Sequence, residues 1–403
     1  MDSSPNPPKS LRKTAMDSGS NPNPEGVEGS LAAVLPDDLV AEILARLPAR
    51  SLCRFKCVSR AWRAVISDPA HRARFAQPMA GIFFSRAYGG RPSWGFAGVS
   101  SPLPWVDTAL SFLPHSCGEM ELLDSCNGLL LLRCWSPQPP FYVVCNPATS
   151  EWIALPQPSH APGQYGYNAQ LREGINTCQA ALGFDPAVSS HFHVFQLVQK
   201  ENYYHFEVAA VEIFSSETGR WVLRESGWGD RECILFPDPL TYFNGFLFFP
   251  IIGNAVASVD TKGQTWKVSL VRNHKVNDYG CLFLSQGRLL YVVYSGSQKG
   301  ILSIYALEDH DSGEWSFKQS VNMLDLFGPR TSQQGWECCV AAIHPHGDLI
   351  FFYDWSQKRL MSYNMNHGDL RVVCTIGEAI NEYPMFLSYV PLYSGALALP
   401  NVN

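Results

Sequence analysis

The hydrophobic pattern of this chain changes character near residue 80. Between residues 35 and 76, apolar side chains recur at helical spacing. In Leu35-Pro36-Asp37-Asp38-Leu39-Val40-Ala41-Glu42-Ile43-Leu44-Ala45-Arg46-Leu47-Pro48, residues 39, 43, 44 and 47 share one stripe of a helix. Pro36 and the two aspartates suit a first turn, where a missing N–H costs nothing and negative charge meets the helix dipole. Pro48 closes the helix. Ser51 is placed to cap a second short helix carrying Leu52, Phe55 and Val58. Ser59 is placed to cap a third, carrying Trp62, Val65 and Ile66, and Asp68-Pro69 opens a further turn toward Phe75. Three or four such helices make a small core, so part of the apolar stripe is expected to face a partner.

From residue 79 onward no helical period survives. Short apolar runs take over: Ile82-Phe83-Phe84, Leu129-Leu130-Leu131-Leu132, Phe141-Tyr142-Val143-Val144, Phe246-Leu247-Phe248-Phe249, Leu289-Leu290-Tyr291-Val292-Val293 and Leu349-Ile350-Phe351-Phe352. Each is bounded by Gly, Asn, Asp or Pro, which marks strands between turns. The strands repeat a grammar of glycine turn, strand, second strand, polar turn and tryptophan. Asn127-Gly128 leads to Trp152, Gly183 to Trp221, Asn244-Gly245 to Trp266, and Gln286-Gly287 to Trp315. A final unit from His346-Gly347 reaches Leu370-Arg371 without a tryptophan. Tryptophan steps of 69, 45 and 49 residues bracket the length of a propeller blade. With residues 80–118 as a partial unit there are six blades, and Phe386-Leu387-Ser388-Tyr389-Val390 is expected to complete the first sheet. A β-sandwich or two small β-domains is the competing arrangement.

The expected organisation is therefore α plus all-β and multidomain. A flexible Ser/Pro/Asn/Gly-rich leader spans 1–33, a small three-helix unit 34–78, and a β-propeller-like domain 79–403. The net charge of −6 argues against a chain-wide attraction to nucleic acid. Residues 35–75 are locally basic, but their charges spread around several short helices with no recognition helix. Complementarity to an acidic protein fits them better. No run approaches the roughly 20 apolar residues of a membrane span, and the start lacks a signal-peptide pattern. The 12 cysteines form no C-x-x-C pair, so free thiols and a cytoplasmic or nuclear location are expected, with no membrane partner.

Catalytic and metal patterns are weak. His191-Phe192-His193 and His344-Pro345-His346 each place two imidazoles close together, but neither has a visible third ligand. Cys338-Cys339 lies in an apolar run, where core packing explains it better than nucleophilic chemistry. No Walker loop, dinucleotide fingerprint or nucleophile elbow occurs. The expectation is a non-catalytic protein with no cofactor and no metal. Four aromatic residues, Trp94, Tyr165, Tyr167 and Trp228, stand in loop-like surroundings. They are candidates for contacting a target, or for stacking on a sugar ring in a ligand-binding propeller.

Residues 35–75 carry Leu35-Pro36, Leu39, Glu42-Ile43-Leu44, Arg46-Leu47-Pro48, Leu52, Arg54 and Val58-Ser59-Arg60-Ala61-Trp62. This pattern resembles the F-box. The stretch Cys126-Asn127-Gly128-Leu129-Leu130 through Val144-Cys145-Asn146-Pro147-Ala148-Thr149-Ser150-Glu151-Trp152 resembles the opening of the plant F-box-associated, kelch-like region. The resemblance implies docking on a Skp-type adaptor, and through it on a cullin and a RING subunit, in a ubiquitin ligase complex whose target is held by propeller loops. It implies an adaptor-docking set of Leu35, Pro36, Leu39, Ile43, Leu44, Leu47, Leu52, Val58 and Trp62. Apolar anchors at helical spacing with one tryptophan are what a helix-in-groove contact requires.

Overall fold

In the computed structural model, the described residues are 36–45, 47, 51, 55, 57–67, 79–88, 91–99, 106–168, 173–202, 205–228, 240–271, 279–294, 300–328, 338–377, 384–393 and 397. The leader 1–33, the Asp68-Pro69 turn, and Leu35 and Leu52 lie outside them.

The helical unit contains α1 (Asp37–Ala45) and α2 (Arg60–Ser67). The Pro36 carbonyl accepts from the N–H groups of Leu39 and Val40, which starts α1 directly after the proline. Ser59 caps α2: its Oγ accepts from Ala61 N–H at 3.2 Å, satisfying a donor with no intrahelical partner. Between them Ser51 and Phe55 are also helical, with their neighbours outside the described residues. Val40, Ala41, Leu44, Val65 and Ile66 form a buried cluster of their own, flanked by Leu47, Phe55 and Trp62.

The rest is a six-bladed propeller of antiparallel sheets. Blade I contains β1 (Gly81–Tyr88) and β2 (Arg91–Gly98). Blade II is β3 (Met120–Cys126), β4 (Leu129–Cys134), β5 (Phe141–Asn146) and β6 (Glu151–Ala154). Blade III is enlarged. It holds β7 (Tyr165–Asn168), β8 (Glu173–Asn176), β9 (Ala180–Gly183), β10 (His193–Asn202), β11 (His205–Ser215) and β12 (Arg220–Glu225). Blade IV is β13 (Thr241–Phe243), β14 (Phe246–Ile251), β15 (Ala255–Asp260) and β16 (Trp266–Leu270). Blade V is β17 (Tyr279–Ser285), β18 (Arg288–Tyr294), β19 (Ile301–Asp309) and β20 (Glu314–Asn322), followed by the short α3 (Met323–Phe327). Blade VI is β21 (Cys338–Ile343), β22 (Leu349–Asp354), β23 (Arg359–Asn364) and β24 (Leu370–Thr375). The last strand, β25 (Phe386–Tyr389), pairs antiparallel with β1, so the two ends of the domain share blade I as the sequence suggests.

The innermost strands β3, β9, β13, β17, β21 and β25 touch one another in sequence and close a circuit around the axis. The core is accordingly divided into six wedges, one per seam. Leu130 and Leu132 of β4 enter the seam with blade I, while Leu129 and Leu131 enter the seam with blade III. Alternate side chains point to opposite faces of a strand. A strand buried on both faces therefore reads as an unbroken apolar run, which is why these runs lack polar alternation.

Three of the tryptophans that punctuate the repeat lie in these seams. Trp221 packs on Tyr142 of blade II, Trp266 on Trp228 at the end of blade III, and Trp315 donates to Ser269 Oγ of blade IV at 2.9 Å. In blade VI, Leu370 stands opposite Tyr363 and joins the blade V–VI cluster, so a leucine fills the slot the sequence shows as lacking tryptophan. The long 69-residue step is explained by the β7–β8 hairpin, which extends the inner edge of β10 beyond β9.

Candidate functional site

Two places stand apart from this scaffold. The first is the helical unit. Successive side chains on α1 divide between two adjacent faces. Val40, Ala41 and Leu44 turn inward, and Leu44 is fully buried. Leu39 and Ile43 turn outward, 47% and 50% exposed, and Val58 is 66% exposed. Pro36, at the start of α1, is exposed as well. Leu39 and Ile43, one turn apart on α1 beside a core filled by other residues, form an apolar stripe with no partner among the described residues, and Val58 adds an exposed valine in the turn before α2.

This corrects the candidate docking set. Leu44 belongs to the unit's own core and has no surface to offer. Leu47 and Trp62 are half-buried against that core, Trp62 edge-on to Phe55 with ring centroids 5.0 Å apart. They reach the surface only in part. Pro36, Leu39, Ile43 and Val58 are the exposed members, and Leu35 and Leu52 lie outside the described residues.

The second place is the propeller axis. The innermost strands surround a cavity of about 150 Å³ to which all six blades contribute. A register shift in β3 between Leu122 and Asp124 brings Asp124 to this wall, where the residue is 8% exposed. Its carboxylate accepts from Ser125 N–H and from Leu182 N–H, both at 2.7 Å, the latter tying blade II to blade III. Next to it Ser125 Oγ donates to the Ser388 carbonyl at 2.8 Å, tying blade II to blade I, and Asn127 Nδ2 donates to the Phe184 carbonyl at 2.7 Å. Burial pushes the Asp124 carboxyl up to about 7, against the pull of its two backbone N–H donors.

The four aromatic target-contact candidates do not form one surface. Trp228 is buried in the seam between blades III and IV, its ring 4.9 Å from Phe249, and its indole donates to the Lys267 carbonyl at 3.1 Å. It is a core residue, because the Gly227–Trp228 segment folds against the face of blade IV. Trp94 in β2 is half-buried and donates to the Thr108 carbonyl at 3.1 Å. Tyr165 and Tyr167 fall on β7, in a different sheet. The sequence missed Asp124, which shares β3 with Glu121 and Ser125 and so is not set apart by its own strand.

The histidine pairs have structural roles. His344 Nδ1 accepts from His346 N–H at 3.1 Å within a turn, and burial draws His193 down to about 4. Burial pushes the Cys339 thiol up to about 12, where it is inert. Among the described residues no three His, Cys, Asp or Glu side chains are grouped to hold a metal, and no helix is long and apolar enough to cross a membrane.

Comparison with known proteins agrees with this architecture. A family model for the F-box domain matches residues 34–73, and one described as "F-box protein At3g26010-like, beta-propeller" matches residues 106–383. The propeller extends past that match on both sides, through β1, β2 and β25. Among curated relatives in Arabidopsis thaliana, F-box protein At5g07610 is 26% identical over 75% of this chain and 74% of its own length. F-box protein At3g26010 is 25% identical over 84% and 79%, and the putative F-box/kelch-repeat protein At4g22430 is 24% identical over 83% and 79%.

Proposed function

We propose, for a chain that belongs to the family of F-box proteins with an At3g26010-like β-propeller, that it is the substrate receptor of a ubiquitin ligase. The F-box docks a Skp-type adaptor, which bridges to a cullin and a RING subunit, and the propeller holds a protein target. The observation that carries this reading is the outward face of α1. Leu39 and Ile43 leave one stripe of the helix unburied while Val40, Ala41 and Leu44 complete the core. A helix seated in a partner's groove needs such anchors at i and i+4. F-box domains generally bind Skp1-type adaptors, which makes the adaptor the natural occupant.

The role proposed is non-catalytic, exercised in the cytoplasm or nucleus. The thiols of Cys126, Cys134 and Cys145 are buried and driven upward by desolvation, so they serve as small core residues. Trp228, held in a seam, is not available to a sugar-stacking platform. The test is reconstitution. The chain, assembled with adaptor, cullin and RING subunit, is expected to direct ubiquitin onto proteins captured by residues 79–403. An assembly that forms but transfers nothing to any captured protein, while a known F-box receptor succeeds in parallel, would leave adaptor binding without ligase function.

A further inference from the structure

The cavity on the propeller axis has a composition that scaffolding does not explain. Its wall takes one residue or more from every innermost strand: Asp124, Leu182, Tyr242, Leu282, Ile343 and Leu387 represent the six blades. That wall is mostly aliphatic and aromatic as a whole, with Asp124 set beside the polar Ser125, Asn127 and Ser388. Among the described residues, no Lys, Arg or His hydrogen-bonds or ion-pairs with the Asp124 carboxylate, whose partners are two backbone N–H groups. An ionised carboxylate in such surroundings costs far more than a neutral side chain that could accept the Leu182 N–H equally well. The Tyr142–Gln196 pair in the neighbouring seam shows that this chain builds neutral polar links elsewhere.

We propose that the axial cavity is a binding site for a small organic monocation, a primary amine on a compact apolar body, with Asp124 as its counter-ion. The volume sets the size. A cavity of this order has room for a benzene-sized molecule, on the order of six to eight non-hydrogen atoms. Each Asp124 oxygen already takes one N–H and keeps a lone pair for an ammonium donor. The surrounding Leu, Ile and Phe side chains would cover the hydrocarbon part. A divalent metal fits poorly, because it would need several oxygen or nitrogen ligands and only one carboxylate is present. This site is independent of adaptor docking, so either conclusion can fail alone.

The probe is benzylamine, titrated by calorimetry into the full chain, with benzyl alcohol as its uncharged counterpart. Benzylamine is expected to bind at millimolar concentration or below, at least tenfold more tightly than benzyl alcohol. The Asp124→Asn variant should lose that preference. Raised burial also predicts that wild-type affinity tightens by up to about tenfold between pH 6 and pH 8, as the carboxyl ionises while the amine stays protonated. This second arm needs no variant and stands if Asp124→Asn fails to fold. No binding of benzylamine at millimolar concentration would overturn the proposal. So would equal affinity for the alcohol, or unchanged affinity in a folded Asp124→Asn.

Discussion

Phe83 of β1 stands directly opposite Leu387 of β25, so the beginning and end of the propeller meet in one antiparallel ladder. Both side chains enter the seam with blade II, and the Phe83 ring lies edge-on to Tyr389 at 5.4 Å. The pairing closes the circuit of innermost strands. It also means that blade I is completed only after every other blade has been made. Leu387→Ala removes a buried leucine from this joint and is expected to cost about 2–5 kcal/mol, measured by urea unfolding. A chain ending before Phe386 should lose cooperative unfolding altogether, because one blade would expose an unpaired strand edge along the axis.

Two buried groups give opposing pH dependence. Asp124 holds its proton up to about 7 in the folded state against an ordinary value of 3.8. The folded protein then binds more protons than the unfolded chain in that window, so this group's contribution to stability declines as pH rises through it. His193 is drawn from 6.5 down to about 4, mainly by burial, so its contribution declines as pH falls through that range. Relative to wild type, Asp124→Asn should gain roughly 2–3 kcal/mol between pH 5 and pH 8. Denaturant midpoints of the pair at both pH values check the sign, and a flat difference would contradict the burial argument.

The tryptophans separate by seam. Trp228→Ala empties a buried site flanked by Phe249 and Trp266 and strands the Lys267 carbonyl, a loss of about 3–5 kcal/mol. Trp152 on the outer strand β6 is 40% exposed, and its replacement by Ala should cost markedly less. Equilibrium unfolding of the two variants orders them.

Two Asn-Gly turns sit at the same place in blades II and IV. Gly128 and Gly245 both have positive φ, 88° and 84°. A Cβ at Gly245 meets nothing within 4 Å, whereas at Gly128 it would lie 2.4 Å from Leu392 Cβ, where the chain crosses blade II after β25. Gly245→Ala should therefore cost only the left-handed backbone strain of about 1–2 kcal/mol. Gly128→Ala should cost more, and deleting residues 391–403 should narrow the difference without closing it, because the Val390 carbonyl stays 2.9 Å from the added Cβ.

Much of the propeller is legible in the sequence because its signals are local. Asn127-Gly128, Asn244-Gly245 and Gln286-Gly287 mark turns through backbone demands that only a few residues meet. The regular Trp266 and Trp315 mark one seam each. The β7–β8 hairpin was not legible, since its pairing with Gln199 and Lys200 is decided by tertiary position. Trp228 was misplaced for a similar reason: its burial depends on the face of blade IV, which its own segment does not encode. In the F-box, periodicity shows that Leu39, Ile43 and Leu44 share a stripe, but not which edge turns inward. That choice depends on Val65 and Ile66 of α2 packing against Leu44.

The most direct test of the account compares Leu39 and Ile43 with Leu44 on the same helix. The full chain is co-expressed with a Skp-type adaptor, and captured adaptor and thermal midpoint are measured together. Leu39→Asp combined with Ile43→Asp should abolish capture while leaving the midpoint of the propeller unchanged. Leu44→Ala should instead weaken the helical unit by about 2–5 kcal/mol, and reduce capture only as far as that unit unfolds. Undiminished capture by the double variant would contradict the assignment of this face as the docking surface.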